Sequence, residues 1–119
     1  MVRRNLKPAP FQRLALEHAD FLRAVNALGS AAQHAGPLDE KVTQLVQLAA
    51  AAAIRSEGAV HSHARRAWDL GASREEIHHA LLCIVSTIGF PTVTAALSWA
   101  DDVIGNSGAA KKVRRARKS

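Results

Sequence analysis

Residues 63–77 read HARRAWDLGASREEI, a run that holds the end of one helix, a turn and the start of the next. Gly71 stands where a helix over Ala59 to Leu70 must stop, because glycine accepts the left-handed backbone of a helix C-terminus without a Cβ penalty. Two residues on, Ser73 and Glu76 form S-x-x-E, the spacing at which a serine hydroxyl and a glutamate carboxylate satisfy each other's free backbone N–H groups. A helix is therefore expected from Ser73, with Ile77, Leu81, Ile84 and Ile88 on one face and Gly89 as its end.

Outward from this run the same pattern continues. Upstream, Ser56, Glu57 and Gly58 mark a break or kink. Before it, Asp39 opens a helix carrying Val42, Leu45, Val46 and Leu48 and then five alanines, a small-residue face that suits a central helix. A first helix is expected from Phe11 to Ser30, with Leu14, Phe21, Val25 and Leu28 at helical spacing, ended by Gly36 and Pro37. Downstream, Pro91 begins a fifth helix at a position that needs no N–H, with Val93, Leu97, Ala100 and Ile104 as its apolar stripe. No strand pattern and no repeat is visible. The expected fold is all-α, a helical domain of about five helices over residues 11–105.

Composition agrees. Apolar residues make up 48% of the chain but aromatics only 4%, so the core must come from aliphatic side chains and close helix backbones. The formal charge is +6, and Lys111, Lys112, Arg114, Arg115, Arg117 and Lys118 account for all of it. These follow the linker-like Gly105 to Gly108, so residues 106–119 read as a basic disordered tail, and residues 1–10 as a flexible N-terminal segment. A solvated tail is preferred over a nucleic-acid-binding module. Cys83 is the single cysteine and sits in the apolar run Leu81 to Val85, which predicts a buried packing role and a reducing, cytoplasmic setting. No secretory signal is visible in residues 1–10. The uncharged stretch Ala80 to Ala100 is long enough for a membrane span, but Gly89, Phe90 and Pro91 interrupt it; two buried helices joined by a turn are expected, and no membrane. Leu82, Val85, Ala95, Ala96 and Trp99 widen the apolar surface beyond one stripe, which predicts a homo-oligomer with these helices at the interface.

Chemistry-bearing residues concentrate between Arg55 and Trp68. On a helical projection His63 points with Ala59, Ala67 and Leu70, whereas Glu57, His61 and Arg65 share another face at i, i+4 spacing. One reading makes His63 a hydrogen-bonded core histidine and Glu57–His61 a solvated pair. The other makes His63 a general acid or base, helped by Glu57 and His61, in a pocket where Arg55, Arg65 or Arg66 holds a carboxylate. A metal site from His61, His63, His78 and His79 is not expected, since i, i+2 and adjacent positions on a helix point apart.

From Leu38 to Ile104 the chain resembles the carboxymuconolactone decarboxylase-like family, which includes alkylhydroperoxidase D-like proteins. The resemblance lies in the L-D-x-K helix start, the H-x3-A-x3-G run of His63, Ala67 and Gly71, the S-x-E-E-I start, and the G-x-P turn at Gly89 to Pro91. In the redox branch the histidine matching His63 follows a C-x-x-C pair, whose places are held here by Ser56 and Ala59, and a proton-transferring glutamate falls at Gln44. Without a thiolate and a resolving partner, thiol peroxidase activity is not expected. The decarboxylase branch needs no cysteine and no cofactor. It implies a lyase-like, acid–base activity on a small carboxylated or lactone substrate, with His63 moving the proton and itself, as trimer or hexamer, for partner. That branch often carries an acidic residue one turn before the histidine, where Ala59 stands. The alternative is a non-enzymatic helical oligomer, a binding or structural module descended from the redox branch.

Overall fold

A computed structural model describes residues 10–104, and among these every regular element is a helix. The segments in chain order are α1 (Pro10–Glu17), α2 (Ala19–Gln33), α3 (Glu40–Ala53), α4 (Glu57–Asp69), α5 (Arg74–Leu82), α6 (Val85–Ile88) and α7 (Phe90–Ile104). The basic tail 106–119 and residues 1–9 of the N-terminal segment lie outside the described residues. The chain divides into two units, one ending at Pro37 and the other beginning at Leu38.

In the first unit, the single helix expected over Phe11 to Ser30 is two helices. His18 leaves helical geometry with φ −140° and ψ 57°, so α1 and α2 are separate segments. No glycine or proline marks the spot, and apolar spacing runs through it unbroken. Neither helix buries a residue.

In the second unit the helix starts at Asp39 and Ser73 act as read, and the one at Ser56 does not. Asp39 caps α3, its Oδ1 accepting the Val42 N–H at 2.9 Å. Ser56 caps α4, with Oγ accepting from the Ala59 N–H at 3.3 Å, so Glu57 and Gly58 belong to the first helical turn and not to a break. The capping box is complete: Ser73 Oγ accepts from the Glu76 N–H and Glu76 Oε1 from the Ser73 N–H, both at 2.9 Å.

Helices α3 and α4 end in the same motif with different residues. After α4, Gly71 (φ 100°) lets its own N–H reach Trp68 O and the Ala72 N–H reach Ala67 O. After α3, the Arg55 N–H reaches Ala52 O and the Ser56 N–H reaches Ala51 O, but the left-handed position is Arg55 itself, at φ 58°. An arginine there carries backbone strain of about 1 kcal/mol that glycine avoids.

Packing follows from the alanines. Leu48, Ala51 and Ala52 of α3, Val60, Ala64 and Ala67 of α4, Ile77 and Leu81 of α5, and Ala96, Ala100 and Ile104 of α7 form the core. Small side chains at facing positions shorten the distance between helix axes. The alanine-rich α3 thereby packs against α4, α5 and α7.

Two expectations for the fourth helix need correction. It ends at Leu82 instead of Ile88: the Ile84 N–H turns back to Leu81 O, and α6 restarts as a separate turn. The β-branched Ile84, Val85, Thr87 and Ile88 lose side-chain freedom in a helix, which weakens its continuation. Cys83 caps α5 at this break and is exposed, not buried. Gly89 (φ 94°) then separates α6 from α7, and Pro91 lies in the first turn of α7. No helix among the described residues is long and apolar enough to cross a membrane.

Candidate functional site around His63

Gln44 occupies the core face of α3, in line with Leu48, Ala51 and Ala52, and only 2% of it is exposed. A buried amide in an aliphatic stripe must be hydrogen-bonded or it costs stability. Its Oε1 faces Nδ1 of His63 on α4 at 2.8 Å. An amide oxygen only accepts, so Nδ1 carries the hydrogen and Nε2 is left with a lone pair. The half-buried ring has its pKa lowered from the usual histidine value, first because burial penalises the charged form and second because the Arg66 guanidinium is nearby. Both effects favour neutral imidazole. Ala59 and Ala67, which share the His63 face, are half-buried and buried respectively, while Leu70 is exposed.

The other predicted site residues divide among separate places. His61 turns to α7, its Nε2 lying 3.0 Å from Asp102 Oδ2 and 3.8 Å from Glu57 Oε2. The Glu57–His61 pair expected from i, i+4 spacing is thus present, with a third member from α7. Arg55 donates through Nη1 to Thr92 Oγ1 at 2.5 Å, tying the α3–α4 turn to the start of α7. Arg65 is exposed. Of the three arginines, Arg66 is the one whose charge acts on His63.

The four histidines of α4 and α5 do not converge. His78 Nε2 lies 2.8 Å from Asp101 Oδ1, and Asp101 Oδ2 accepts from Arg74 Nη2 at 3.0 Å. Desolvation of Asp101 is outweighed by its bonds to His78 and Arg74, so its pKa is lowered. Asp101 and Asp102 belong to none of the sequence motifs. Their signal is position: they are the first charges after the uncharged stretch Ala80 to Ala100. Gln44 stands out in the sequence through the resemblance alone, although a glutamine on an otherwise apolar helix face points to a buried polar partner.

Ser56 and Ala59 serve as N-cap and third residue of α4. The hydroxyl does structural work for the helix end. Cys83 is the single cysteine of the sequence, so it has no second thiol with which to form a dithiol.

An alanine-rich helical unit with a histidine held across two of its helices defines a class of small helical protein, and comparison places it more closely. The chain belongs to the carboxymuconolactone decarboxylase family, whose model matches residues 19–102. It is similar to the crystal structure of apo-lpg0406, a carboxymuconolactone decarboxylase family protein from Legionella pneumophila. That similarity has 26% sequence identity and a TM-score of 0.70, and covers 79% of this chain and 83% of the other. No curated protein matches the chain.

Proposed function

We propose that this protein is a cofactor-free, lyase-like acid–base catalyst acting on a small carboxylated or lactone substrate, with Nε2 of His63 as the atom that gives and takes the proton. The observation that carries the reading is the 2.8 Å bond from His63 Nδ1 to the buried Gln44 oxygen. It selects one tautomer and holds the ring without placing a charge beside it. Loss of carbon dioxide from a lactone acid breaks the bond from carbon to carboxylate, leaves the electron pair in an enolate, and needs a proton on carbon. Nε2 collects that proton from solvent and delivers it. Arg66, whose charge reaches the ring, is assigned the substrate carboxylate. Glu57 and His61, which lie beside Asp102, and Arg55 and Arg65 are the other residues expected at this site, and this reading assigns the proton to His63 and the carboxylate to Arg66.

The catalytic unit in this reading is a homo-oligomer, a trimer or hexamer in a cytoplasmic setting. Leu82, Val85 and Phe90 support it, being exposed by 51%, 37% and 68% although all are large and apolar. The test is release of carbon dioxide from a panel of small lactone acids. His63→Asn abolishes turnover and Arg66→Gln raises KM more than it lowers kcat. Full turnover in His63→Asn overturns the assignment. If the wild type turns over no lactone acid but sediments as an oligomer, the second reading takes its place: a helical binding or structural module, favoured by the same exposed apolar residues.

A further inference from the structure

The imidazole of His61 sits between two carboxylates supplied by different helices. Asp102 Oδ2 on α7 is 3.0 Å from Nε2 and Glu57 Oε2, one turn before His61 on α4, is 3.8 Å from it. The three ligand atoms all lie within 4.8 Å of one another. A ring nitrogen carries at most one hydrogen, and that hydrogen serves Asp102; at 3.8 Å the Glu57 oxygen is beyond hydrogen-bond reach. Two anionic oxygens are thus gathered around a nitrogen that can satisfy only one of them. An exposed acid is free to swing into water, and hydrogen bonding within the cluster accounts for Asp102 only.

We propose that Glu57, His61 and Asp102 form a binding site for a divalent transition-metal ion of the Zn²⁺ class, held at the seam of α4 and α7. Ions of this class bind imidazole nitrogen and carboxylate oxygen at about 2.0–2.2 Å, which sets neighbouring ligand atoms roughly 3–3.5 Å apart. The His61–Asp102 spacing already meets this, and Glu57, half exposed at a helix start, has the freedom to close the rest. Glu57 and His61 share one face by their i, i+4 spacing, so one helix presents two ligands and the packing of α7 on α4 brings the third. The nitrogen donor disfavours Mg²⁺ and Ca²⁺, which take oxygen shells, and the lack of a sulfur ligand disfavours Cu⁺. With three protein ligands on a solvent-facing edge, water completes the shell. Gln44 and Arg66, which act on His63, are not members of this site, so it stands or falls separately from the proposed proton chemistry.

Calorimetric titration of the full chain, stripped with chelator, with ZnCl₂ in a non-coordinating buffer near neutral pH tests it. The expected result is one Zn²⁺ per chain with Kd tighter than about 10 µM, and no binding of MgCl₂ at the same concentrations. Asp102→Asn and Glu57→Gln, each keeping side-chain shape, weaken Zn²⁺ by at least about tenfold. Glu57 is exposed, so its variant carries the test even if Asp102→Asn disturbs helix packing, which circular dichroism reports. His78→Asn, at the neighbouring Asp101 pair, leaves Zn²⁺ binding unchanged. No uptake by the wild type, equal affinity for Mg²⁺, undiminished binding in Glu57→Gln, or loss of binding in His78→Asn would overturn the proposal.

Discussion

A double-mutant cycle on Gln44 and His63 isolates the interaction on which the functional reading depends. Gln44→Leu fills the same space but leaves Nδ1–H of His63 without its acceptor in a half-buried position. An unsatisfied group of this kind costs about 1–3 kcal/mol, whereas removing both partners together is far milder. Gln44 makes further interactions beyond this bond, so the cost of Gln44→Leu alone overstates the pair, and the cycle removes that excess. With His63→Leu as the second change, the expected coupling energy is about 1–2 kcal/mol, roughly a tenfold difference in the folding constant. The assay is urea unfolding of all four chains at one protein concentration, because self-association would otherwise add its own stabilisation. A coupling energy below about 0.5 kcal/mol, the range in which independent sites add, refutes the reasoning. The bond would then hold neither the tautomer nor the ring, and the proton-transfer role of Nε2 would lose its support.

Two further predictions concern the helix ends around the site. Arg55→Ala keeps the left-handed strain and loses the bond to Thr92, whereas Arg55→Gly loses the bond but relieves about 1 kcal/mol of strain. Thermal unfolding should therefore rank glycine above alanine by about that amount, and equal midpoints would show that Arg55 is not strained. Glu76 has its carboxyl pKa lowered below 4.5, first by the Ser73 backbone N–H and then by Lys41. Because the folded value is the lower one, this stabilisation is complete above 4.5 and is lost as pH falls through the folded pKa. Glu76→Gln should flatten the pH dependence of the unfolding midpoint in that acidic window, and an unchanged slope would count against the carboxylate's share.

The legibility of this chain follows the range of the forces involved. Asp39, Ser73 with Glu76, Gly71, Gly89 and Pro91 act on backbone groups within a few residues, and each does in the structure what its local chemistry implies. Where no local signal exists, expectation and structure part. His18 splits the first helix without any breaker residue, and the turn at Cys83 and Ile84 rotates an apolar-looking cysteine to the surface. At Ser56 the local signal was present but ambiguous, since a serine followed by glutamate and glycine reads as a break and proves to be a cap.

The candidate site shows the same division. Helical spacing alone put His63 on the inward face and Glu57 beside His61, since both follow from 3.6 residues per turn. Partners on other helices were beyond such reach: Gln44 is nineteen residues from His63, Asp102 forty-one from His61, and Thr92 thirty-seven from Arg55. Residue pattern determined that α3, α4 and α7 exist and which of their faces are apolar, because those properties belong to single segments. Only the packing of α4 between α3 and α7 decided that His63 turns to a buried amide and His61 to a carboxylate, because a side chain two positions along a helix faces a different neighbour.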